Sequence, residues 1–219
     1  MRRGLAFSGR RRLYAAIGFG DTRGVPVPYE EVSHVARNVF FVSVGAFSAG
    51  ELVQTLRVRR GAVRVSVRAE IVFRAMFFSA ILLFPVGRVV APGAVIGGGG
   101  WLFALGVVIG WLGLLLRWWS FASLGSYFTV VVKTSEDQPV VERGPYRVLR
   151  HPSYTGLLLA IAGGGLMLGN WVSAVGATGL VLIALIYRLR IEERALSAAL
   201  GDRYREFAAG RARLIPYVW

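Results

Sequence analysis

Cysteine is absent from the 219 residues, which removes disulfides, thiolate-bound zinc and a thiol nucleophile from consideration. Histidine is nearly absent. His34 and His151 are too few for a metal centre built on imidazoles, so no metal site is expected. Acidic residues are scarce, 12 against 26 basic ones, and Lys133 is the sole lysine, so the formal charge of +14 is carried almost entirely by arginine. The motifs of P-loop enzymes, dinucleotide-binding folds, serine hydrolases and zinc proteases are all missing. The glycine run Gly97–Gly100 opens an apolar span and is read as packing. A signal-peptide core is missing too, because Arg10, Arg11, Arg12 and Asp21 break the apolar pieces of the first residues into short lengths. Residues 1–37 are read as a basic arm.

Apolar sequence is what the chain has in excess. At 55% hydrophobic residues and a mean hydropathy of +0.55, it is too apolar to face water on all sides, and the bilayer is its natural solvent. Arginines beside apolar segments bind anionic headgroups and set topology, and no basic cluster with interleaved aromatics argues for a nucleic-acid partner.

The expected fold class is all-α: a polytopic integral membrane protein with about five transmembrane helices, a C-terminal helical hairpin and an interfacial amphipathic C-terminal helix. Residues 38–116 supply the N-terminal transmembrane helices. The first candidate, Asn38–Leu56, contains Glu51 and Gln54. The second, Ile71–Val90, carries Arg74 near one end, where it can snorkel. The third, Ala94–Leu116, ends at Arg117-Trp118-Trp119, read as an interfacial belt. Residues 117–219 form the proposed core. A polar, turn-rich loop runs from Ser120 to Arg150. Tyr154–Leu168 and Trp171–Tyr187 then flank the turn dipeptide Gly169-Asn170 and predict an antiparallel hairpin whose arms reach roughly 22 to 26 Å. Gly156, Ala160 and Gly164 share one face of the first arm, which permits close helix approach. Beyond Arg188 the pattern turns amphipathic, with Gly201 as a C-cap, and an aromatic tail containing Tyr204, Phe207, Leu214 and Trp219 is expected along the interface. If residues 57–68, the loop after Arg117 and the tail after Arg188 share the cytoplasmic side, five crossings put the basic arm outside, against the positive-inside rule.

Ionisable groups beside membrane spans invite a functional reading. Two clusters qualify: the segment from Arg143 to Gly156 (RGPYRVLRHPSYTG) and the run from Arg188 to Arg194 (RLRIEER). Because the hairpin returns the chain to the face it left, the two can meet. Read from the residues alone, they form a basic and an acidic half of one interfacial pocket, suited to a zwitterionic or cationic molecule with an aromatic group. The bland alternatives are a capping role for His151 and a solvated first helical turn for Glu192 and Glu193.

These residues resemble the isoprenylcysteine carboxyl methyltransferase-like membrane enzymes, which are similar here to phospholipid methyltransferases. The resemblance rests on RGPYRVLRHPSYTG, LGNW at 168–171, RIEER at 190–194, GDRYREF at 201–207 and RLIP at 213–216, in the family's order. It implies transfer of a methyl group from S-adenosylmethionine to a lipophilic small-molecule or lipidated acceptor, such as a prenylcysteine-like carboxylate. The implied cofactor-binding residues are Gln138, Pro145, Tyr146, Arg147, Val148, Arg150, His151, Tyr154, Glu192 and Glu193. The implied catalytic residues are Arg188, orienting an acceptor carboxylate, and Glu192. The implied location is the cell membrane, with the site facing the cytoplasm. Two alternatives remain open: a membrane reductase of the sterol reductase type that binds NADPH, whose C-terminal region looks similar and also ends like Ile215-Pro216-Tyr217, and a non-catalytic transporter or scaffold subunit.

Overall fold

The computed structural model describes residues 29, 33–56, 63–64, 67–125, 133–134 and 140–216. Six helices follow one another among them: α1 (His34–Leu56), α2 (Val67–Val90), α3 (Gly99–Leu124), α4 (Pro152–Met167), α5 (Trp171–Leu200) and α6 (Asp202–Ala209). The 3₁₀ turn Gly144–Arg147 precedes α4, and a two-residue antiparallel ladder pairs Val63–Arg64 with Lys133–Thr134. The protein is thus a helical membrane protein, with α2, α3 and α5 long and apolar enough to cross a bilayer. Its outer surface carries the apolar side chains lipid requires: Val89 is 80% and Trp101 87% exposed.

Small residues bring α3 and α4 together. Gly106, Gly110 and Gly113 on α3 face Gly156, Ala160 and Gly163 on α4. A methyl group at Gly113 would stand 2.6 Å from the Gly156 carbonyl oxygen, and one at Gly163 would overlap the Gly110 backbone. The expected small-residue face is therefore correct at Gly156 and Ala160 but turns to Gly163 rather than Gly164, which looks toward Phe84 of α2. Threefold and fourfold spacings alternate along a helix of 3.6 residues per turn, which accounts for the shift. On the other side of α4, Ala80, Ala177, Val181 and Leu185 are fully enclosed between α2 and α5, with Leu157 and Ile161 in the same cluster. Although α4 has only 16 residues, it is covered on both sides, as the short hairpin arm requires.

The hairpin turns where expected. Gly169 takes a left-handed φ of 60°, and Asn170 caps α5 by accepting from the Ser173 amide at 3.0 Å. Asn170 Nδ2 also donates to the Ala91 carbonyl at 2.9 Å, and the Ile96 amide to the Gly169 carbonyl at 2.8 Å, so the hairpin turn and the α2–α3 connection form one end of the bundle. Tyr29 lies against Phe103 at this same end, so α1 begins at this end of the bundle.

Three boundaries differ from the sequence reading. The third span begins at Gly99 and continues through Arg117, Trp118 and Trp119 to Leu124, capped by Gly125. Arg117 is only 7% exposed and is paired inside the protein, so it does not end the helix at an interface. The second hairpin arm runs on to Leu200, and Gly201 caps it as expected; its 30 residues span about 45 Å. Glu192 and Glu193 are accordingly in the interior of a long helix, not in a first turn. The tail also departs from expectation. Tyr204, Phe207 and Leu214 are 5%, 5% and 1% exposed and pack into the protein, while residues 217–219 lie outside the described residues.

The same substitution at two glycines separates close packing from helix propensity. Gly163→Ala is expected to destabilise the protein by about 1–3 kcal/mol through overpacking, whereas Gly179→Ala, where added atoms meet nothing within 4 Å, should be neutral or stabilising by up to ~1 kcal/mol. Thermal unfolding in one detergent, with both variants beside the parent, checks the contrast.

Candidate functional site

Backbone pairing assembles the site. The Arg150 amide donates to the Ala212 carbonyl at 2.8 Å, the His151 amide to Arg213 at 3.1 Å, and the Ala212 amide back to Val148 at 3.2 Å, so the chain after α6 lies parallel to the segment before α4. Thr155 Oγ1 donates to the Leu214 carbonyl at 2.6 Å and continues the seam. His151 stands at the N-cap of α4 with Pro152 in the first helical position, where a missing amide proton costs nothing. One turn further, Tyr154 stacks on the His151 ring, with centroids 5.4 Å apart and planes 6° from parallel.

The C-terminal half of α5 faces this seam. Glu193 turns to the basic side: its carboxylate accepts from Arg150 Nη1 at 3.2 Å and Arg213 Nε at 3.0 Å. His151 Nε2 stands 3.4 Å from the same group, without the alignment of a hydrogen bond. Glu192 turns the other way and accepts from the Tyr154 hydroxyl at 2.5 Å. Arg188, one turn earlier, donates from Nε to that hydroxyl at 2.8 Å and from Nη1 to Glu70 of α2 at 3.2 Å. Its guanidinium lies 4.5 Å from the Phe73 ring centroid. The two clusters picked out in the sequence therefore meet, joined by direct hydrogen bonds.

A cavity of about 750 Å³ runs through the assembly. One part is polar, with Tyr146, His151, Tyr154, Arg188, Glu192 and Tyr204 on its wall. The other lies between α1, α2 and α4 and is apolar, walled by residues such as Phe47, Phe77, Ile81 and Ile161. Burial holds the Tyr146 phenol above its usual range, with the charge of Glu192 adding to the effect. Burial also raises the Tyr204 phenol, helped by Glu193 and Glu192. Both stay protonated in the fold, so they contribute stability that is present below the unfolded value of about 10 and is lost as pH rises above it.

Of the residues implied by the resemblance, Tyr146, Arg150, His151, Tyr154, Arg188 and Glu192 line the cavity. Glu193 stands behind them as the partner of Arg150, His151 and Arg213. Arg150 also donates to the Arg211 and Ala208 carbonyls, at 2.8 and 2.6 Å, which ties down the C-terminal segment. Pro145 is buried away from the cavity, and Arg147 and Val148 are exposed outside it, because the 3₁₀ turn presents successive side chains to different sides. Gln138 lies outside the described residues.

The sequence reading missed Glu70 and noted Glu51 within the first span without assigning it to the site. Glu51 accepts from Arg117 with both carboxylate oxygens, at 2.5 and 2.8 Å, while Arg117 Nη1 donates to the Ser153 carbonyl at 2.8 Å. Both acids line the cavity, and the signal for them was a carboxylate at the end of an apolar span in a chain otherwise rich in arginine.

Fold and site together define a polytopic membrane protein whose cavity joins a bilayer-depth chamber to a cluster of ionisable and aromatic groups. Residues 104–198 match the model of the isoprenylcysteine carboxyl methyltransferase family. Over 120 residues the chain is 33% identical to protein-S-isoprenylcysteine O-methyltransferase A of Arabidopsis thaliana, covering 54% of this chain and 61% of the relative. It is 41% identical over 73 residues to methanethiol S-methyltransferase of Mycobacterium tuberculosis, covering 33% of this chain and 28% of that protein. It also superposes on a solved eukaryotic intramembrane Ras methyltransferase, isoprenylcysteine carboxyl methyltransferase, with a TM-score of 0.54 at 25% identity, covering 67% of this chain and 52% of the other. The chain thus spans about three fifths of the Arabidopsis relative's length.

The Glu51–Arg117 pair offers a direct test of how the N-terminal helix is held to the site. Glu51→Gln leaves a buried guanidinium without its counter-charge and is expected to cost about 3 kcal/mol, whereas Glu51→Leu with Arg117→Met should recover most of the loss. Unfolding of the two variants and the parent in one detergent gives the comparison; equal destabilisation by both would show that the pair does not hold α1.

Proposed function

We propose that the protein is a membrane methyltransferase that uses S-adenosylmethionine and acts on an amphiphilic acceptor. The observation carrying this reading is the two-part cavity: an amphiphile can leave its tail in the apolar chamber while its head reaches the polar wall. The relatives cited above carry methyltransferase names and include both an O- and an S-methyltransferase, so the acceptor atom varies among them.

The polar wall fits the proposed cofactor on two counts. His151 Nε2 and the Tyr204 hydroxyl are buried atoms on this wall without a hydrogen-bond partner among the described residues, and buried polar groups normally have one. Glu192, His151, Tyr146 and Tyr154 also bring carboxylate, imidazole and phenol groups together, the partners wanted by a ligand with an ammonium, a ribose and an adenine. Bound there, S-adenosylmethionine would supply an electrophilic methyl carbon, to which the acceptor's lone pair would bond as the C–S bond breaks and its electrons return to sulfur. The chain's own part is binding and alignment. Glu192 and His151 hold the cofactor, the His151–Tyr154 stack fixes their relative position, and Arg188 marks the acceptor end. Holding the reacting atoms about 3 Å apart and in line supplies most of the acceleration such a transfer needs. The polar wall lies beside the arginine-bearing segment after Arg188, which under the positive-inside rule supports a site facing the cytoplasmic side of the cell membrane.

Calorimetric titration of the detergent-purified chain with S-adenosylhomocysteine and, separately, NADPH tests the reading. The first should bind and the second should not; binding of NADPH alone would point to a reductase, and binding of neither would remove the cofactor site. His151→Ala and Glu192→Gln should each weaken S-adenosylhomocysteine ~10-fold or more while the protein stays folded. Arg188→Ala should leave that affinity unchanged and lower acceptor turnover; loss of affinity would assign Arg188 to the cofactor.

A further inference from the structure

Glu70 reaches the cavity from α2, outside the family-matched residues 104–198. It is 7% exposed, and its two oxygens are divided between arginines: Oε1 accepts from Arg74 Nε at 2.5 Å, and Oε2 from Arg188 Nη1 at 3.2 Å. Arg188 is itself 4% exposed. Its Nε donates to the Tyr154 hydroxyl at 2.8 Å, and that hydroxyl donates to Glu192 at 2.5 Å. Two carboxylates, a phenol and the Phe73 ring therefore surround one guanidinium, all supplied by the chain.

We propose that Glu70 determines acceptor specificity: by neutralising Arg188 it makes this end of the cavity accept an amphiphile with an uncharged head and reject one that ends in a carboxylate. The inference rests on reading the cavity as an acceptor site. It replaces the expectation, carried by the resemblance, that Arg188 orients an acceptor carboxylate.

The argument is electrostatic. A carboxylate placed on Arg188 would be the third negative group around a single guanidinium, in a buried place where like charges are poorly screened. Arg74 compensates only in part, since its side chain is 51% exposed, where solvent screens its charge, and its Nε is engaged by the other oxygen of Glu70. The remaining arginines on the cavity wall are also engaged. Arg117 holds both oxygens of Glu51, and Arg150 is divided between Glu193 and two backbone carbonyls. An uncharged head meets no such repulsion and can still hydrogen-bond to the groups around Arg188.

A matched pair of ligands isolates the charge: S-farnesylthioacetate, which ends in a carboxylate, and its primary amide, which has the same tail and an uncharged end. Their dissociation constants are measured on the full chain in lipid nanodiscs, for the parent and for Glu70→Gln. The parent should bind the amide at least ~10-fold more tightly than the carboxylate. Glu70→Gln should close that gap, chiefly by strengthening carboxylate binding. The proposal is overturned if the parent binds the carboxylate as tightly as the amide, if it binds neither, or if Glu70→Gln weakens both ligands alike, which would mark Glu70 as a structural support. Because the parent comparison needs no variant, it decides the matter even if Glu70→Gln does not fold. S-adenosylhomocysteine binding on the same nanodiscs reports separately on the methyltransferase reading, which survives if the acceptor preference fails.

Discussion

A guanidinium on a membrane-crossing helix has no water to lean on, so the protein must supply its counter-charge from within. Arg188 imposes that constraint here. Its partners come from three helices: Glu70 on α2, Tyr154 on α4 and, through the tyrosine hydroxyl, Glu192 on α5 itself. Breaking such a pair from one side leaves an uncompensated buried charge, at a cost of about 3–5 kcal/mol. The polar cluster therefore fixes how α2, α4 and α5 stand relative to one another at this end of the bundle. At the other end, Asn170 and Gly169 do the same with neutral hydrogen bonds to the α2–α3 connection.

Close helix packing serves the same end by another route. The glycines of α3 and α4 let two backbones approach until a single methyl group would not fit, which brings Arg117 within 2.8 Å of the Ser153 carbonyl in the first turn of α4. His151 and Tyr154 occupy that turn. Their positions depend on Gly113 and Gly156, which touch nothing catalytic, because rigid backbone contact leaves little room for α4 to slide or rotate. The Arg150–Ala212 and His151–Arg213 pairings then seat the C-terminal segment against the same turn and bring Tyr204 to the cavity wall.

The hairpin, its turn and the meeting of the two charged clusters were legible in the sequence because each rests on local chemistry. Gly169-Asn170 makes the turn, and two short apolar arms around it leave both flanks at one face. Glu70 was not legible. It sits in the first turn of α2, where a carboxylate is ordinary, and its partner is 118 positions away. Arg117 misled for a related reason: an arginine beside two tryptophans reads as the end of a span unless its pairing with Glu51 is known. The tail was misread because Tyr204, Phe207 and Leu214 have the pattern of an interfacial segment, and only the pairing along residues 148–151 and 212–213 shows that they face the protein.

Scarcity makes the acidic residues more informative than the basic ones. Of the seven acids among the described residues, Glu51, Glu70, Glu192 and Glu193 are not exposed, and every one lines the cavity or braces its wall. Glu142, Asp202 and Glu206 are exposed and lie off the cavity wall. Arginine does not divide so cleanly, because it also serves headgroups and topology all along the chain. With 26 basic residues available, an unpaired inward arginine would be easy for such a chain to supply, whereas each inward carboxylate has to be placed against desolvation and must answer a particular cation. In a strongly basic membrane protein the site is therefore traced by its carboxylates, and the two that belong to α1 and α2, Glu51 and Glu70, tie the N-terminal helices, which lie outside the residues matched by the family model, to the polar wall of the cavity.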